Sequence, residues 1–499
     1  MSQLLLGIDV GTYSSKGVLV EPDGTIRKSH VVDHQMDIPK PGWAEQDADS
    51  VWWADVVKIC RFLLDGSPYS GADVSSIAVS AIGPCMLPLD ARGQPLRKGI
   101  LYGVDTRAKE EIEYLNQAIG QEIIFNFSGM ALSSQAIGPK ILWFKNHEPE
   151  LWKMVDHITT ASSFIILKLT GEKVIDRHTA SHFMPLIDIK ELEWSERYSE
   201  NIIDISKFPR LCWSDEVAGR VSRRGAMETG LKAGTPVAVG AVDALSEAIS
   251  VEVVKPGDLM IMYGSTTFFI LILNKPVPDT RMWTVAGAFP GQYNLAAGMA
   301  TTGSLTRWFR DQFSRELPID RGYEILFTEA ETVKPGSEGI IVLPYFSGER
   351  TPINDPKARG LVAGLTLTHT RSHLYRAVLE GVAYGIRHNL ETFESIGARV
   401  NKVVAVGGGT KSNTWLQIVS DVSGISQNVP ELTIGASYGD AFLAGLASGL
   451  LERGDIVDWV KPGSKVEPNS EFASLYDQYY EDYLELYEQT KGIIHRLDH

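Results

Sequence analysis

What most restricts the fold of this chain is a pattern that occurs twice, about half a chain apart. Leu4–Val10 is a short apolar run, Gly11-Thr12-Tyr13-Ser14-Ser15-Lys16 follows, and residues 17–20 are apolar again. Residues 259–273 repeat the plan, with Gly264-Ser265-Thr266-Thr267 set between two strand-like runs. Short apolar runs bounded by turn residues read as buried strands. A glycine beside hydroxyl residues leaves amides and hydroxyls that can hold a phosphate. Such a hairpin is common when alone. Its repetition points to a duplicated architecture with a nucleotide held between the halves.

Each hairpin has an aspartate in its neighbourhood. Asp9 follows Leu4-Leu5-Leu6-Gly7-Ile8 in a strand expected to be buried, where an unpaired carboxylate is costly. Magnesium, bound directly or through water, is a suitable partner beside phosphates. Asp243 ends the apolar run 237–242 and precedes a helix-like stretch, which lets its carboxylate face a cleft as a candidate base. Between the two lie loops that can line a pocket. Gly83-Pro84 ends the strand-like run 75–82, and Tyr102-Gly103-Val104-Asp105-Thr106-Arg107 ends another. The second loop reads equally well as an Asp105–Arg107 ion pair or as a polyol site, with a carboxylate to accept hydroxyls beside an aromatic face.

Further along, Gly303 opens a helix-like run, where an ordinary cap and an approach to a nucleotide both fit. The buried strand 403–406 enters Gly407-Gly408-Gly409 and leads through Ser412 and Asn413 into a helix. The spacing is not that of a dinucleotide fingerprint, because Ser412 stands in the last glycine's place; the run gives room for an adenosine against backbone. A long amphipathic helix is expected from a cap at Ser372, with Gly381 and Gly385 allowing another backbone close. Phe472, Tyr476, Tyr480, Tyr483 and Tyr487 recur at helical spacing and are read as core.

Composition narrows the function classes. The 499 residues carry 47 Lys and Arg against 62 Asp and Glu, a net charge of −15 without a block of basic residues. That balance speaks against nonspecific nucleic-acid binding and against anionic membrane surfaces. Three cysteines without CxxC spacing fit a reducing compartment. No run approaches the roughly 20 apolar residues of a membrane span, and the first residues lack a basic leader, so a cytoplasmic protein is expected. His147, His157, His178 and His182 show no metal-ligand pairing and are not expected to form a structural metal site.

Taken together, these segments resemble the FGGY carbohydrate kinases of the actin-like ATPase superfamily, over nearly the whole chain. GIDVGTYSSKGVLV is similar to that family's first phosphate motif, GAVDALSEAISVEVVKPGD to its catalytic-aspartate segment and MYGSTTFFI to its second phosphate hairpin. SGERTP with the following GLVAGLTLTHTRSHLYRAVLEG is similar to its C-terminal signature, and VGGGTKSNTWLQIVSDVSG to its adenosine motif. The resemblance implies an α/β protein of two ribonuclease-H-like domains with a cleft between them, at 1–246 and 247–499. By position, Asp243 is the general base, and Asp9 with Asp243 the magnesium-associated carboxylates. Thr12, Ser14, Ser15 and Lys16 line one phosphate loop, and Gly264, Ser265, Thr266 and Thr267 the other. Gly303, Gly408, Gly409, Ser412 and Asn413 lie along the nucleotide. Gly83, Pro84, Tyr102, Asp105 and Asp243 meet the sugar.

The departures concern the sugar. Ile82-Gly83-Pro84-Cys85 stands where xylulokinases carry Gln-Met-His-Gly, and Tyr102 to Arg107 replaces Trp-Asn-Asp-Gly-Arg with one extra residue. Asp243-Ala244 replaces the Asp-Gln of glycerol kinases, which disfavours glycerol. The expected activity is phosphoryl transfer from ATP-magnesium to a small sugar, a ketopentose such as D-xylulose in first place. A tetrulose, deoxy-ketose, ribulose or polyol is the alternative acceptor. The expected partners are that sugar and ATP, with a homodimer allowed and neither nucleic acid nor membrane. An oxidoreductase using 403–409 for a dinucleotide leaves both hairpins unexplained. A non-catalytic sensor on the same scaffold leaves Asp9 and Asp243 unexplained.

Overall fold

A computed structural model describes residues 3–497. Each half is built on one mixed sheet. In the first half, β1 (Leu4–Val10), β2 (Ser14–Val20) and β3 (Ile26–Asp33) form an antiparallel meander, and β4 (Val74–Ala81) adds in parallel to β1. β5 (Val217–Arg220) lies antiparallel to β6 (Pro236–Ala238), which pairs in parallel with β4, giving the order β5-β6-β4-β1-β2-β3.

The second half repeats the plan. β7 (Asp258–Tyr263) and β8 (Thr267–Leu273) pair antiparallel, with β9 (Trp283–Ala286) and β10 (Tyr293–Met299) continuing outward. β11 (Lys402–Val406) adds in parallel to β7, and β12 (Gln427–Val429) in parallel to β11, with β13 (Ser464–Val466) at the edge. In both halves an antiparallel set opened by a hairpin, three strands in the first and four in the second (β7-β8-β10-β9), is followed by two parallel strands on the first strand's free side. The two hairpins singled out in the sequence are the first turn of each sheet.

The helices follow the sequence patterns with local adjustments. α1 (Ala54–Leu64) buries Val56, Ile59, Cys60 and Leu63 at helical spacing, against the first sheet. α2 (Asp243–Ser250) starts at Asp243 itself: β6 ends at Ala238, 239–241 run on outside the strand, and Val242 bridges Ala81 of β4 in parallel just before the helix. α3 (Gly303–Phe313) follows β10. α4 (Arg371–Ser395) is capped by Thr370 with His373, two residues earlier than the cap expected at Ser372. Gly381 meets the Val342 carbonyl, where a Cβ would sit 2.4 Å from its oxygen, so a backbone does approach there; Gly385 faces the Met299 side chain instead. α5 (Asn413–Ser423), α6 (Ala436–Ser448) and α7 (Ala473–Arg496) complete the second half, and Tyr476, Tyr480, Tyr483 and Tyr487 of α7 are core residues.

Two junctions hold the halves together. α6, late in the sequence, packs on β1 and β4 of the first sheet and along α2, so the line at 246/247 is crossed by this helix. Small residues allow the approach: a Cβ on Gly7 would lie 1.9 Å from the Ser437 carbonyl oxygen, and one on Gly439 would lie 2.0 Å from that of Ser246. The second junction covers the edge strand β9. The Ala286 N–H donates to Ser181 Oγ at 3.0 Å, and His178 Nδ1 donates to the Ala286 carbonyl at 2.8 Å. Side chains of the first half thus satisfy backbone groups that an edge strand would leave open.

Candidate active site

A cavity of 370 Å³ lies where the halves meet, and Asp243 is in its wall with Asp9, Glu247, Tyr102 and Thr266. Asp243 is placed by the start of α2, and its Oδ1 accepts the Ala244 N–H at 2.7 Å. Asp9 is placed by the end of β1 and accepts from Ser80 Oγ at 3.1 Å. Asp440, fully buried on α6, lies 2.6 Å from the same Ser80 hydroxyl and accepts from Ser246 at 2.7 Å. Four carboxylates therefore share one poorly solvated region, and burial dominates their titration. It holds Asp243 above the ordinary carboxylate range and, with repulsion from Asp243 and Asp440, raises Asp9 well above it. Burial also pushes Glu247 up to about 7 and Asp440 up to about 8. Lys16 donates its ammonium to the Ile434 carbonyl; burial lowers its pKa, while Glu247 and Asp9 favour its charge.

Among the described residues no three His, Cys, Asp or Glu side chains form a metal cage. The donor set fits magnesium in another way. Magnesium keeps several waters and is held by one or two carboxylates together with phosphate oxygens. Asp9 and Asp243 supply two anionic oxygen donors in a region otherwise short of positive charge. These two carboxylates would hold the ion.

The two hairpins divide their residues by strand alternation. Thr12 sits in the first turn, with its hydroxyl 3.1 Å from the Tyr102 hydroxyl and its carbonyl held by Gln46. Ser14 and Lys16 are partly exposed on one face of β2. Ser15 takes the other face: it is fully buried and donates to Asp55 Oδ2 at 3.0 Å, beside His34 and Lys58. The hydroxyl expected at a phosphate is thus turned into the first half's interior. In the second hairpin, Gly264, Ser265 and Thr266 remain accessible while Thr267 is fully buried. This turn is tied to α3: the Gly303 N–H donates to the Gly264 carbonyl at 3.1 Å, and Ser304 N–H to that of Ser265 at 3.0 Å. A Cβ on Gly303 would come 2.4 Å from the Gly264 oxygen, so only glycine lets the helix start against the turn.

Behind this hairpin a second cavity of 640 Å³ opens. Gly264, Ser265, Gly303, Gly408, Gly409, Ser412 and Asn413 all border it. Gly409 presses on Tyr263 and Trp415, while nothing stands within 4 Å of a Cβ on Gly408. Ser412 also caps α5 through the Trp415 N–H. Tyr323 and Phe327 add aromatic surface that the sequence reading did not single out.

Of the residues expected at the sugar, Gly83, Pro84, Tyr102 and Asp243 line the 370 Å³ cavity. Asp105 does not. It is fully buried, holds Arg107 through both oxygens (2.7 Å to Oδ2), and accepts the Ala44 N–H. Arg107 lies over Trp43 and Trp143, 3.9 and 4.9 Å from their ring centroids, and also meets Glu45. This ion-pair reading of the loop carries a prediction. Asp105→Ala leaves a buried guanidinium without its main partner and costs about 3–5 kcal/mol. The melting temperature falls, while the acceptor KM of the folded fraction is unchanged.

The cavity also takes in polar residues that were not expected at a site: Ser133, Gln135, Glu247 and, from 177–182, His178 and His182. The histidines stand four residues apart, but without a metal motif that spacing carried no signal. Arg350, within the SGERTP segment, also lines the cavity, whereas its neighbour Glu349 is structural, accepting the N–H groups of Ala300 and Arg350.

Duplicated sheets of this topology, a central cleft and paired hairpins define a two-domain actin-like ATPase fold. The sequence comparisons agree. The N-terminal domain of the FGGY family of carbohydrate kinases matches residues 4–250, and its C-terminal domain matches 259–448. A xylulose kinase of Staphylococcus epidermidis is 28% identical over 99% of this chain and 98% of its own, and a gluconokinase of Bacillus subtilis is 27% identical over 92% and 90%. The crystal structure of xylulose kinase from Rhodospirillum rubrum superposes with a TM-score of 0.93 at 29% identity, covering 99% of this chain and all of that one. The chain belongs to the FGGY family of carbohydrate kinases and is an ATP-dependent sugar kinase. No helix among the described residues is long and apolar enough to cross a membrane.

Proposed function

We propose that this kinase transfers the γ-phosphoryl group of ATP to a hydroxyl of a small ketose, D-xylulose in first place, with Asp243 as general base. The observation that supports this reading most is that Asp243, Asp9 and Thr266 border one cavity between the halves. A base from one half, a carboxylate from the first strand and a hydroxyl of the second hairpin thereby face the same space.

Asp243 accepts the proton of the attacking hydroxyl as its oxygen bonds to the γ-phosphorus and the bond to the β-phosphate bridge breaks, releasing ADP. The Ala244 N–H fixes the carboxylate's direction. Thr12 and Ser14 on one turn, and Ser265 and Thr266 on the other, orient the phosphates, with the glycines of 407–409 along the adenosine. Asp9 and Asp243 would hold magnesium, which would supply neutralisation of phosphate charge. The cleft excludes water, which would otherwise compete with the sugar for the phosphoryl group.

The test is ADP release with D-xylulose, D-ribulose, a tetrulose and a polyol. ADP is expected with the ketopentose in the presence of magnesium, with loss of turnover on chelation and recovery on readdition. Magnesium-independent turnover removes Asp9 from its role, and the absence of ADP with every sugar overturns the acceptor assignment.

A further inference from the structure

Ser15, expected at a phosphate and found facing the interior, belongs to a group of side chains behind the first hairpin. Its hydroxyl donates to Asp55 Oδ2 at 3.0 Å, and the same oxygen lies 2.8 Å from His34 Nδ1. Lys58 reaches the other carboxylate oxygen at 3.1 Å. Burial alone would raise the Asp55 carboxyl. His34, Lys58 and Ser15 outweigh it and hold the group below its ordinary value, so it is ionised and only accepts. The second ring nitrogen, His34 Nε2, lies 3.0 Å from the Gly11 carbonyl oxygen, which also only accepts. Both nitrogens therefore donate, and the ring is an imidazolium set between α1 and the first phosphate turn. The His34 N–H adds a bond to the Tyr13 carbonyl at 2.9 Å.

A second arm reaches the same turn. Trp52 Nε1 donates to Gln46 Oε1 at 2.8 Å, which orients the amide so that Gln46 Nε2 donates to the Thr12 carbonyl at 2.8 Å. Trp52 and Gln46 are both buried. The carbonyls of Gly11, Thr12 and Tyr13 are thus all held by groups of the first half's interior. In a trans peptide the N–H points opposite to the C=O, and no peptide of this turn is cis. The Thr12 N–H is accordingly directed away from His34, and the Tyr13 N–H away from Gln46. Among the described residues neither has a protein partner. Tyr13 is 58% exposed, so the turn is open on its outer side. Unpaired turn amides beside hydroxyls are donors for an anion.

We propose that His34 and Gln46 are positioning residues for the nucleotide: by holding the carbonyls of Gly11 and Thr12 inside, they present the Thr12 and Tyr13 amides to its phosphates. This rests on the proposed placement of the phosphates at the first hairpin. Neither side chain touches the nucleotide. Without its donor, either peptide can rotate and turn its oxygen outward, where it repels phosphate. Binding then has to reorder the turn, at the expense of affinity.

The experiment measures ATP–magnesium dissociation constants and melting temperatures of full-length variants, with the KM of an accepted sugar as a control. Asparagine carries its amide nitrogen near the place of Nδ1, and glutamine near that of Nε2. His34→Asn therefore keeps the bond to Asp55 and drops that to Gly11, while His34→Gln does the reverse. The expected result is ATP binding about tenfold weaker in His34→Asn but within about threefold of the parent in His34→Gln. Gln46→Met is expected to weaken ATP about three- to tenfold, and the sugar KM stays unchanged throughout. A merely structural His34 would make affinity follow melting temperature instead. Equal ATP affinity in the two His34 variants overturns the inference, and where His34→Asn does not fold, unchanged ATP affinity in Gln46→Met does so. Ser14→Glu, which sets a negative charge at the same turn, tests the placement beneath it. ATP binding that survives this change strikes the placement and the inference together. Loss of ATP binding there, with none in His34→Asn and Gln46→Met, strikes the inference alone.

Discussion

Asp243→Asn is expected to lower kcat with any accepted sugar by at least about a hundredfold, while ATP still binds. Asparagine has the shape of the carboxylate and keeps an oxygen for the Ala244 N–H, so the start of α2 is preserved. It cannot take the hydroxyl proton. The cavity that would receive the adenosine is bordered by other residues, Gly264 and Gly408 among them, and is untouched by the change. Removing one negative charge from the group of Asp9, Glu247 and Asp440 lowers the repulsion that a polyanion meets there. With Asp9 still present for the magnesium, nucleotide affinity is expected to hold largely intact, and the main defect to lie in turnover. Steady-state ADP release and nucleotide titration on the same preparation separate the two quantities. A variant that turns over near the wild-type rate would remove Asp243 from the role of base.

The parts of this molecule that were legible in the sequence are those whose signal is local. Both hairpins could be read because the same plan, a glycine with hydroxyls between two apolar runs, occurs twice half a chain apart, and β1–β2 and β7–β8 are formed by those segments. Asp243 was legible as the residue that ends an apolar run ahead of a helix. Ser15 was expected on the wrong face because β2 begins at Ser14, three residues before the apolar run 17–20, and alternation then turns every second side chain inward. Asp105 could not be decided from its loop alone. Its surroundings come from Ala44, Glu45, Trp43 and Trp143, all remote in sequence. The apolar wall of the Asp243 cavity was illegible for a different reason. In TFFILIL, residues facing a cavity and residues facing the core have the same chemistry, and only the packing of β9 against the first half separates them. His178 and His182 acquire their position from that same distant contact.

The second large effect is expected at Gly7, where the two halves touch most closely. Gly7 lies inside β1, and the nearest atoms to a Cβ there belong to the backbone of α6: the Ser437 oxygen at 1.9 Å and the Ala441 nitrogen at 2.4 Å. A flexible side chain could move aside, but a helix backbone pressed against a sheet cannot, short of moving as a body. Gly7→Ala is therefore expected to cost at least the roughly 1–3 kcal/mol typical of overpacking, and Gly7→Val to prevent folding of the joined halves. The shift has a functional consequence, because α6 also bears Asp440 and packs through Gly439 on α2, whose first residue is Asp243. Folded Gly7→Ala enzyme should thus lose turnover as well as stability. The control is Gly454→Ala, an exposed glycine with nothing within 4 Å of its Cβ and no left-handed backbone to strain. That change is expected to stay within about 0.5 kcal/mol of the parent. Denaturant titration and kcat measured side by side for the two alanine variants decide the point. If both melt alike, the close approach of α6 to β1 is not what joins the halves.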